Sequence, residues 1–239
     1  MSANTTPKSA QMSPGPGFRI KLDFERPSED ILNQYSQFET PDVSDMLNRM
    51  YALCSGIQNL STEDTICGPV CTVKVFPGDN LMVHKVLDVA KPGDVVVVDA
   101  GNSAHNAIVG DLICTKAKHR GIQAFVIDGL IRDLSDVQEV GLPVFARGVT
   151  PVGPLHRGPG EINYPISCGG IVINPGDIIV GDKSGLVVVR QEFAEDTLEK
   201  LHVQKKSLER YVEDVKKGDF SNVWVDIYLE DTDCIVTKR

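Results

Sequence analysis

Hydrophobic residues along this chain follow two rhythms. "RPSEDILNQYSQF" and "TPDVSDMLNRMYAL" carry apolar positions at helical spacing, and each opens on a capping residue, Ser28 and Thr40, the second followed by Pro41. Two helices are therefore expected ahead of the first long strand. "GPVCTVKVF" (68–76) alternates as a strand does, and "NLMVHKVLDVAK" (80–91) returns to helical spacing. "PGDVVVVDAG" (92–101) is a turn feeding a strand that is apolar on both faces, which belongs inside a covered sheet.

"HNAIVGDLICTKAKHRG" (105–121) reads as a helix closed by Gly121, and "IQAFVID" (122–128) as the next buried strand, which completes a βαβ unit. The stretch "FVIDGLIRDLSDV" (125–137) then puts Arg132 and Asp133 side by side where strand gives way to helix. That is the end of an open α/β sheet at which ligands bind. "LPVFARGVTP" (142–151) adds a strand. From 162 to 190 the period shortens, with strands broken by Gly-Gly, Pro-Gly-Asp and Lys-Ser-Gly, so antiparallel hairpins and a sheet of mixed direction are predicted. Pro-Gly-Asp recurs at 77–79, 92–94 and 175–177 without a fixed period, which marks reused turn chemistry rather than a repeat. The segment 193–219 is a charged helix with Leu201, Leu208 and Val215 seven apart, a stripe for the chain's own core or for another subunit.

Composition narrows the class. With 41% hydrophobic and 24% charged residues in 239, the chain can build a sizeable core. Its net charge of −9 argues against a sequence-independent grip on nucleic acid, which needs a basic face, while leaving room for a small anion at a local cationic spot. The six cysteines are scattered, and Cys67 and Cys71 lack the second pair that a zinc cage requires, so they read as reduced core thiols. Residues 1–17 are rich in Ser, Thr, Pro and Gly without an apolar stretch, and read as a disordered tail rather than a signal peptide. No segment approaches the roughly 20 apolar residues of a membrane span. The expectation is a soluble cytoplasmic protein with no membrane or nucleic-acid partner, organised as the tail, an α/β domain over 18–219 and a C-terminal extension over 220–239.

The candidate chemistry centres on two places. Arg132 offers a planar fork of donors for a carboxylate or phosphate, and Asp133 offers hard oxygens for Mg²⁺ or Mn²⁺. The plainer reading is an aspartate favoured at a helix start and an arginine in a surface pair. In "VGDLICTKAK", Gly110 allows close approach to backbone N–H groups and Asp111 sets a carboxylate beside them. His105 reads as a packed or capping histidine at the start of the 105–121 helix. His156 and Arg157 sit in a Gly/Pro-rich loop that either covers a site or only joins strands. Dinucleotide, triphosphate and zinc-protease motifs do not occur.

Taken in order, "GDLICTKAKHRGIQAFVIDGLIRD", "LPVFARGVTP" and "CGGIVINPGDIIVGDKSGLVVV" resemble the RraA-like superfamily, which includes the 4-hydroxy-4-methyl-2-oxoglutarate/4-carboxy-4-hydroxy-2-oxoadipate aldolases. The match runs from about Asp42 to Val189. The resemblance implies an α/β fold of the layered, swivelling β/β/α type with mixed sheets and flanking helices, assembled as a homotrimer or a dimer of trimers. It implies that the backbone amides of Gly110, Asp111, Leu112 and Ile113 hold the pyruvyl part of an anionic oxo-acid substrate. Arg132 would grip substrate oxygens, and Asp133 would ligate a divalent metal such as Mg²⁺ or Mn²⁺ whose other positions are filled by water and substrate.

That chemistry suits a retro-aldol reaction. Cleaving C3–C4 of a 4-hydroxy-2-oxo acid leaves a pyruvate enolate, which needs a Lewis acid and a nearby cation. Removal of the C4 hydroxyl proton needs a base, a role assigned to Asp111 or a water it orients. Oxaloacetate decarboxylation passes through the same enolate and is an expected side activity. A Schiff-base mechanism on Lys116 or Lys118 would need a lysine moved from about 10.4 toward 7 to 8, roughly 4 kcal/mol, and both lysines read instead as a solvated helix face. The superfamily also contains trimeric proteins that bind and restrain ribonuclease E, so a protein-binding regulator is the alternative function. The N-terminal tail and the C-terminal "FSNVWVDIYLEDTDCIVTKR" depart from the compact pattern, and "VWVDIYL" reads as a strand or arm for a neighbouring subunit.

Overall fold

The computed structural model describes residues 11–237. Most of the predicted tail, residues 1–10, lies outside them. The described chain runs β1 (Phe18–Ile20), α1 (Glu29–Tyr35), α2 (Thr40–Met46), β2 (Gln58–Asn59), β3 (Ile66–Val75), α3 (Leu81–Val86), β4 (Val95–Asp99) and β5 (Ala107–Val109). It continues with α4 (Asp111–His119), β6 (Ala124–Ile131), α5 (Leu134–Val140), β7 (Val144–Val149) and β8 (Gly160–Ile162). Two hairpins, β9 (Ile166–Cys168) with β10 (Ile171–Ile173) and β11 (Ile178–Asp182) with β12 (Gly185–Val189), precede α6 (Ala194–Lys217) and α7 (Val223–Asp231).

A mixed sheet in the order β1-β8-β3-β4-β6-β7-β2 carries the fold, with β11 and β12 joined through β3, and β5 along β6. Strands β3, β4, β6 and β7 run parallel, β2 pairs antiparallel to β7, β8 and β11 pair antiparallel to β3, and β1 runs parallel to β8. The α/β expectation with mixed strand direction therefore holds. Val95 to Val98 are wholly buried, as their unbroken apolar run requires. One face of the sheet packs Val83, Val86, Ile113, Ala117 and Val137, carried by α3, α4 and α5, and the other packs Ile57, Ile166, Ile179 and Val188. At each Pro-Gly-Asp turn the aspartate carboxylate accepts a backbone N–H, from Leu81 to Asp79, from Lys91 to Asp94 and from Asn174 to Asp177, at 2.8 Å each.

Four expectations are corrected. The 105–121 helix begins only at Asp111, because Ala107–Val109 is a buried strand paired parallel to β6, and His105 lies before that strand rather than at a helix start. Strand β6 does not end at Asp128 but runs through Ile131, past a register shift between Ile127 and Leu130. Thr40 is not the cap of α2: Glu39 stands there, and the Asp182 carboxylate accepts from Thr40 N at 2.9 Å and from Thr40 Oγ1 at 2.7 Å. Last, "VWVDIYL" forms the helix α7 rather than a strand. Ser28, by contrast, does cap α1, accepting from Ile31 N at 3.3 Å.

The chain divides into two compact units, up to Leu198 and from Glu199 onward. The second unit exposes many of its apolar side chains, including Val203, Tyr211, Trp224 and Tyr228. Within the stripe of α6, Leu201 is buried while Leu208 and Val215 are more than a third exposed. The cysteines are free, with Cys71, Cys114 and Cys168 buried as expected for core thiols, and Cys54 and Cys234 exposed. Among the described residues no helix is long and apolar enough to cross a membrane.

Candidate active site

Strand β5 ends at Val109, and its pairing with β6 brings Gly110 alongside Arg132, whose N–H donates to the Val109 carbonyl at 3.0 Å. Gly110 is the N-cap of α4 in an extended conformation, φ −142° and ψ −169°. A side chain there is excluded by close approach: a Cβ would lie 2.5 Å from Asp133 Oδ2 and 3.1 Å from Arg132 Cγ. The first intrahelical bond runs from Cys114 N to Gly110 O at 3.1 Å, so the N–H groups of Asp111, Leu112 and Ile113 are left for an outside acceptor at the positive end of the helix.

Arg132 and Asp133 touch each other, with Nε to Oδ2 at 3.0 Å and side chains 41% and 36% exposed. The pairing occupies Nε and, among the described residues, leaves the two terminal nitrogens of Arg132 without a protein acceptor. The guanidinium is pressed from the far side by Gly153, where a Cβ would stand 2.9 Å from Nη1. Asp133 caps α5 with left-handed backbone angles, φ 54° and ψ 44°, and its side chain makes no capping bond. A non-glycine residue held there stores of order 1 kcal/mol, which is a mark of functional positions. The plainer reading is met as far as it went, an aspartate at a helix start and an arginine in a half-exposed pair, although the Asp133 side chain adds no capping bond.

Gly110 and Arg132 open onto a cavity of ≈ 240 Å³ between the starts of α3 and α4 and the loop after β7, whose lining does not include Asp133. It is lined by the predicted Gly110, Asp111, Leu112, Ile113 and Arg132, and also by Asn80, His84, Lys116 and His156. His156 Nδ1 lies 2.6 Å from Asn80 Oδ1, and the His84 and His156 rings meet edge to face with centroids 5.3 Å apart. Burial, then the neighbouring His156 and Lys116, push the His84 imidazole below its usual range. A chain of net charge −9 thus sets Arg132 and Lys116 against the single carboxylate of Asp111 around one small cavity, a local cationic excess suited to an anion.

Sequence reasoning passed over Asn80 and His84 and left His156 undecided. Histidine content close to Gly/Pro-rich loops was the one available signal. His105 does not line the cavity, its carbonyl instead accepting from Thr150 Oγ1 at 3.2 Å. Lys118 turns away, its Nζ donating to the Val140 carbonyl between α4 and α5. Burial pushes the Cys114 thiol up to about 12, which removes a thiolate nucleophile from this helix. Two other clefts, ≈ 390 and ≈ 610 Å³, flank α1 and α2, and most of their charged groups are engaged: Asp182 accepts from Thr40, and Lys183 pairs with Glu63 at 2.8 Å.

Among the described residues no three His, Cys, Asp or Glu side chains converge as a metal cage. The protein would therefore offer a metal no more than one or two carboxylates here, Asp133 and the nearby Asp111. This donor set suits Mg²⁺, which keeps several waters and takes one or two carboxylates with substrate oxygens, and does not suit a structural zinc.

The fold and cavity define an α/β protein with a small polar cavity where strands β5 and β6 end. The family model described as RraA-like, Aldolase/RraA, matches residues 40–188, and the chain belongs to this family. A relative from Halalkalibacterium halodurans named "Putative 4-hydroxy-4-methyl-2-oxoglutarate aldolase" is 43% identical over 171 residues, 72% of this chain and 81% of its own. Streptomyces coelicolor RraAS2, described as an unusual member of the RNase ES inhibitor RraA protein family, superposes with a TM-score of 0.71 at 28% identity, over 79% of this chain and 99% of its own. An uncharacterized protein from Pseudomonas syringae superposes with a TM-score of 0.73 at 26% identity, over 82% and 97%.

Proposed function

We propose that the protein is a divalent-metal-dependent lyase of the class II aldolase type, cleaving a 4-hydroxy-2-oxo acid to pyruvate and a second carbonyl compound. The observation that carries this reading is the convergence of two anion-directed features on one cavity, the free N–H groups at the start of α4 and the Arg132 guanidinium, with the Asp133 carboxylate, a cation ligand, paired to that arginine. Family membership and the aldolase name of the relative from Halalkalibacterium halodurans support it.

In this reading the amides of Asp111, Leu112 and Ile113 bind the carboxylate of the pyruvyl end, and these donors are oriented before the substrate arrives. Arg132 lies against the carbon–carbon cleavage region and holds the oxygen on which negative charge accumulates. Its own orientation is set by Nε on Asp133 and by the two glycines packed against it. Asp133 would hold the metal ion, which when bound supplies Lewis-acid polarisation of the 2-oxo oxygen. Asp111 lines the same cavity and is a candidate acceptor for the C4 hydroxyl proton. Oxaloacetate is a second substrate in this scheme, because loss of CO₂ leaves the same enolate. We place the protein in the cytoplasm, as a trimer or dimer of trimers.

The alternative reading is a regulator that binds a partner protein, favoured by the likeness to RraAS2 and by the exposed apolar side chains of α6 and α7. Pyruvate release from 4-hydroxy-4-methyl-2-oxoglutarate and from oxaloacetate, with Mg²⁺ or with EDTA, separates the two. The lyase reading expects release that EDTA abolishes and that a folded Asp133→Ala protein lowers by about a thousandfold or more. Wild-type protein inert on both substrates with every divalent metal tried would favour the regulator.

A further inference from the structure

The loop between β7 and β8 carries His156 to the cavity on a rigid mount. Ala107 N donates to Val152 O at 2.8 Å, Asn106 Nδ2 to Gly153 O at 2.7 Å, Leu155 N to Gly78 O at 2.8 Å and Asn80 N to Leu155 O at 2.9 Å. The next residue is held as well, Arg157 N donating to Asp79 Oδ2 at 2.5 Å. The Pro-Gly-Asp turn at 77–79 thus fixes both the start of α3 and the histidine opposite it.

Hydrogen bonding also settles which proton His156 carries. Asn80 is buried, and its Nδ2 donates to the Ile108 carbonyl at 2.9 Å, which orients the amide and turns Oδ1 toward the histidine. An amide oxygen only accepts, so His156 Nδ1 must be the donor in their 2.6 Å contact. In the neutral ring the lone pair is therefore on Nε2, the one nitrogen left for a ligand. An imidazole oriented through one nitrogen by a fixed acceptor, with the other free, is the arrangement that general-base histidines use.

We propose that His156 Nε2 accepts the C4 hydroxyl proton during aldol cleavage, with Asn80 as its positioning residue. This rests on the lyase reading and replaces Asp111 in the proton step. As the O–H bond breaks, its electron pair forms the C4 carbonyl of the departing product, and the C3–C4 pair passes to the pyruvate enolate. C3 then takes a proton from solvent and His156 returns its own, so protons balance over the cycle. Imidazole suits the step better than carboxylate, since its ordinary proton affinity lies near neutral pH while a carboxylate's lies about 2 to 3 pH units lower. The charged and titratable groups around the ring are His84 on α3, Asp111 and Lys116 on α4, Arg132 after β6, and Asp79 and Arg157 at the loop.

Decarboxylation of oxaloacetate reaches the same enolate without removing a hydroxyl proton, so the two reactions separate proton transfer from enolate stabilisation. The experiment compares His156→Gln with wild type on 4-hydroxy-4-methyl-2-oxoglutarate and on oxaloacetate across pH 5.5 to 8.5, with folding checked by thermal melting. His156 is exposed, which favours a folded variant. Expected is a fall of about 10²-fold or more in aldol cleavage with loss of its acid-side pH limb, while decarboxylation stays within about threefold. Equal losses in both reactions, or no loss in either, would overturn the proposal and leave the lyase reading standing. Wild-type protein inactive on both would overturn the two together.

Discussion

The two ends of the cavity are built by different means. At one end Gly110, Arg132 and Asp133 come from adjoining strand ends, so that one pairing, β5 along β6, brings all three together. At the other, Asn80 and His156 stand 76 positions apart in sequence and meet only because the loop after β7 is tied to the 77–79 turn. The first end has its chemistry written as consecutive residues, while the second depends on tertiary hydrogen bonds that leave no local signature. The proposed roles divide in the same way: the first end would hold the substrate's charge, and the second would present the unprotonated Nε2 of an imidazole whose proton is held at Nδ1.

The largest effect that would sharpen this contrast is at Gly110. Gly110→Ala places a Cβ 2.5 Å from Asp133 Oδ2, so either the Arg132–Asp133 pair or the start of α4 must move. We expect kcat/KM to fall by about 10²-fold, in line with the cost of ångström-scale misplacement, and stability to fall by about 1 to 2 kcal/mol from overpacking and the poorer cap. Steady-state kinetics and urea denaturation read the two losses separately. A fully active, fully stable Gly110→Ala protein would break the claim that close approach fixes this end.

A smaller effect is expected at His84, visible as pH dependence. Its imidazole is held below the usual range by burial first and by His156 and Lys116 next, so the unfolded chain binds its proton more readily than the folded one. Stability from this group is therefore complete above about pH 6.5 and is lost as pH falls through that ordinary value toward the depressed one. Urea denaturation between pH 7.5 and 5 should show a shallower acid-side loss for His84→Asn than for wild type. Parallel curves would mean that His84 titrates as an ordinary surface histidine.

How much of this was readable in the sequence follows the same division. The hairpins at 166–173 and 178–189 were legible because Gly-Gly and Lys-Ser-Gly set them locally, and the three Pro-Gly-Asp turns because each aspartate satisfies a backbone N–H within a few residues. Ala107–Val109 was misread as helix because its apolar spacing fits either period, and pairing with β6, over 15 residues away, decided the outcome. Thr40 was misplaced as a cap because the true partner, Asp182, lies 142 residues along the chain. The pair Arg132–Asp133 was found from its place at a strand end, although the contact between the two side chains and the left-handed backbone of Asp133 could only be seen in three dimensions.

In the proposed function this cavity stabilises the enolate of pyruvate, whatever group is attached at C4. The most direct measurement is exchange of the pyruvate methyl protons for deuterium in D₂O, followed by proton NMR, for wild type with Mg²⁺, wild type with EDTA and folded Asp133→Asn. The account predicts enzyme-dependent exchange in the first sample and none above background in the other two. Folded, Mg²⁺-supplied wild-type protein that binds pyruvate without exchanging its methyl protons would contradict it.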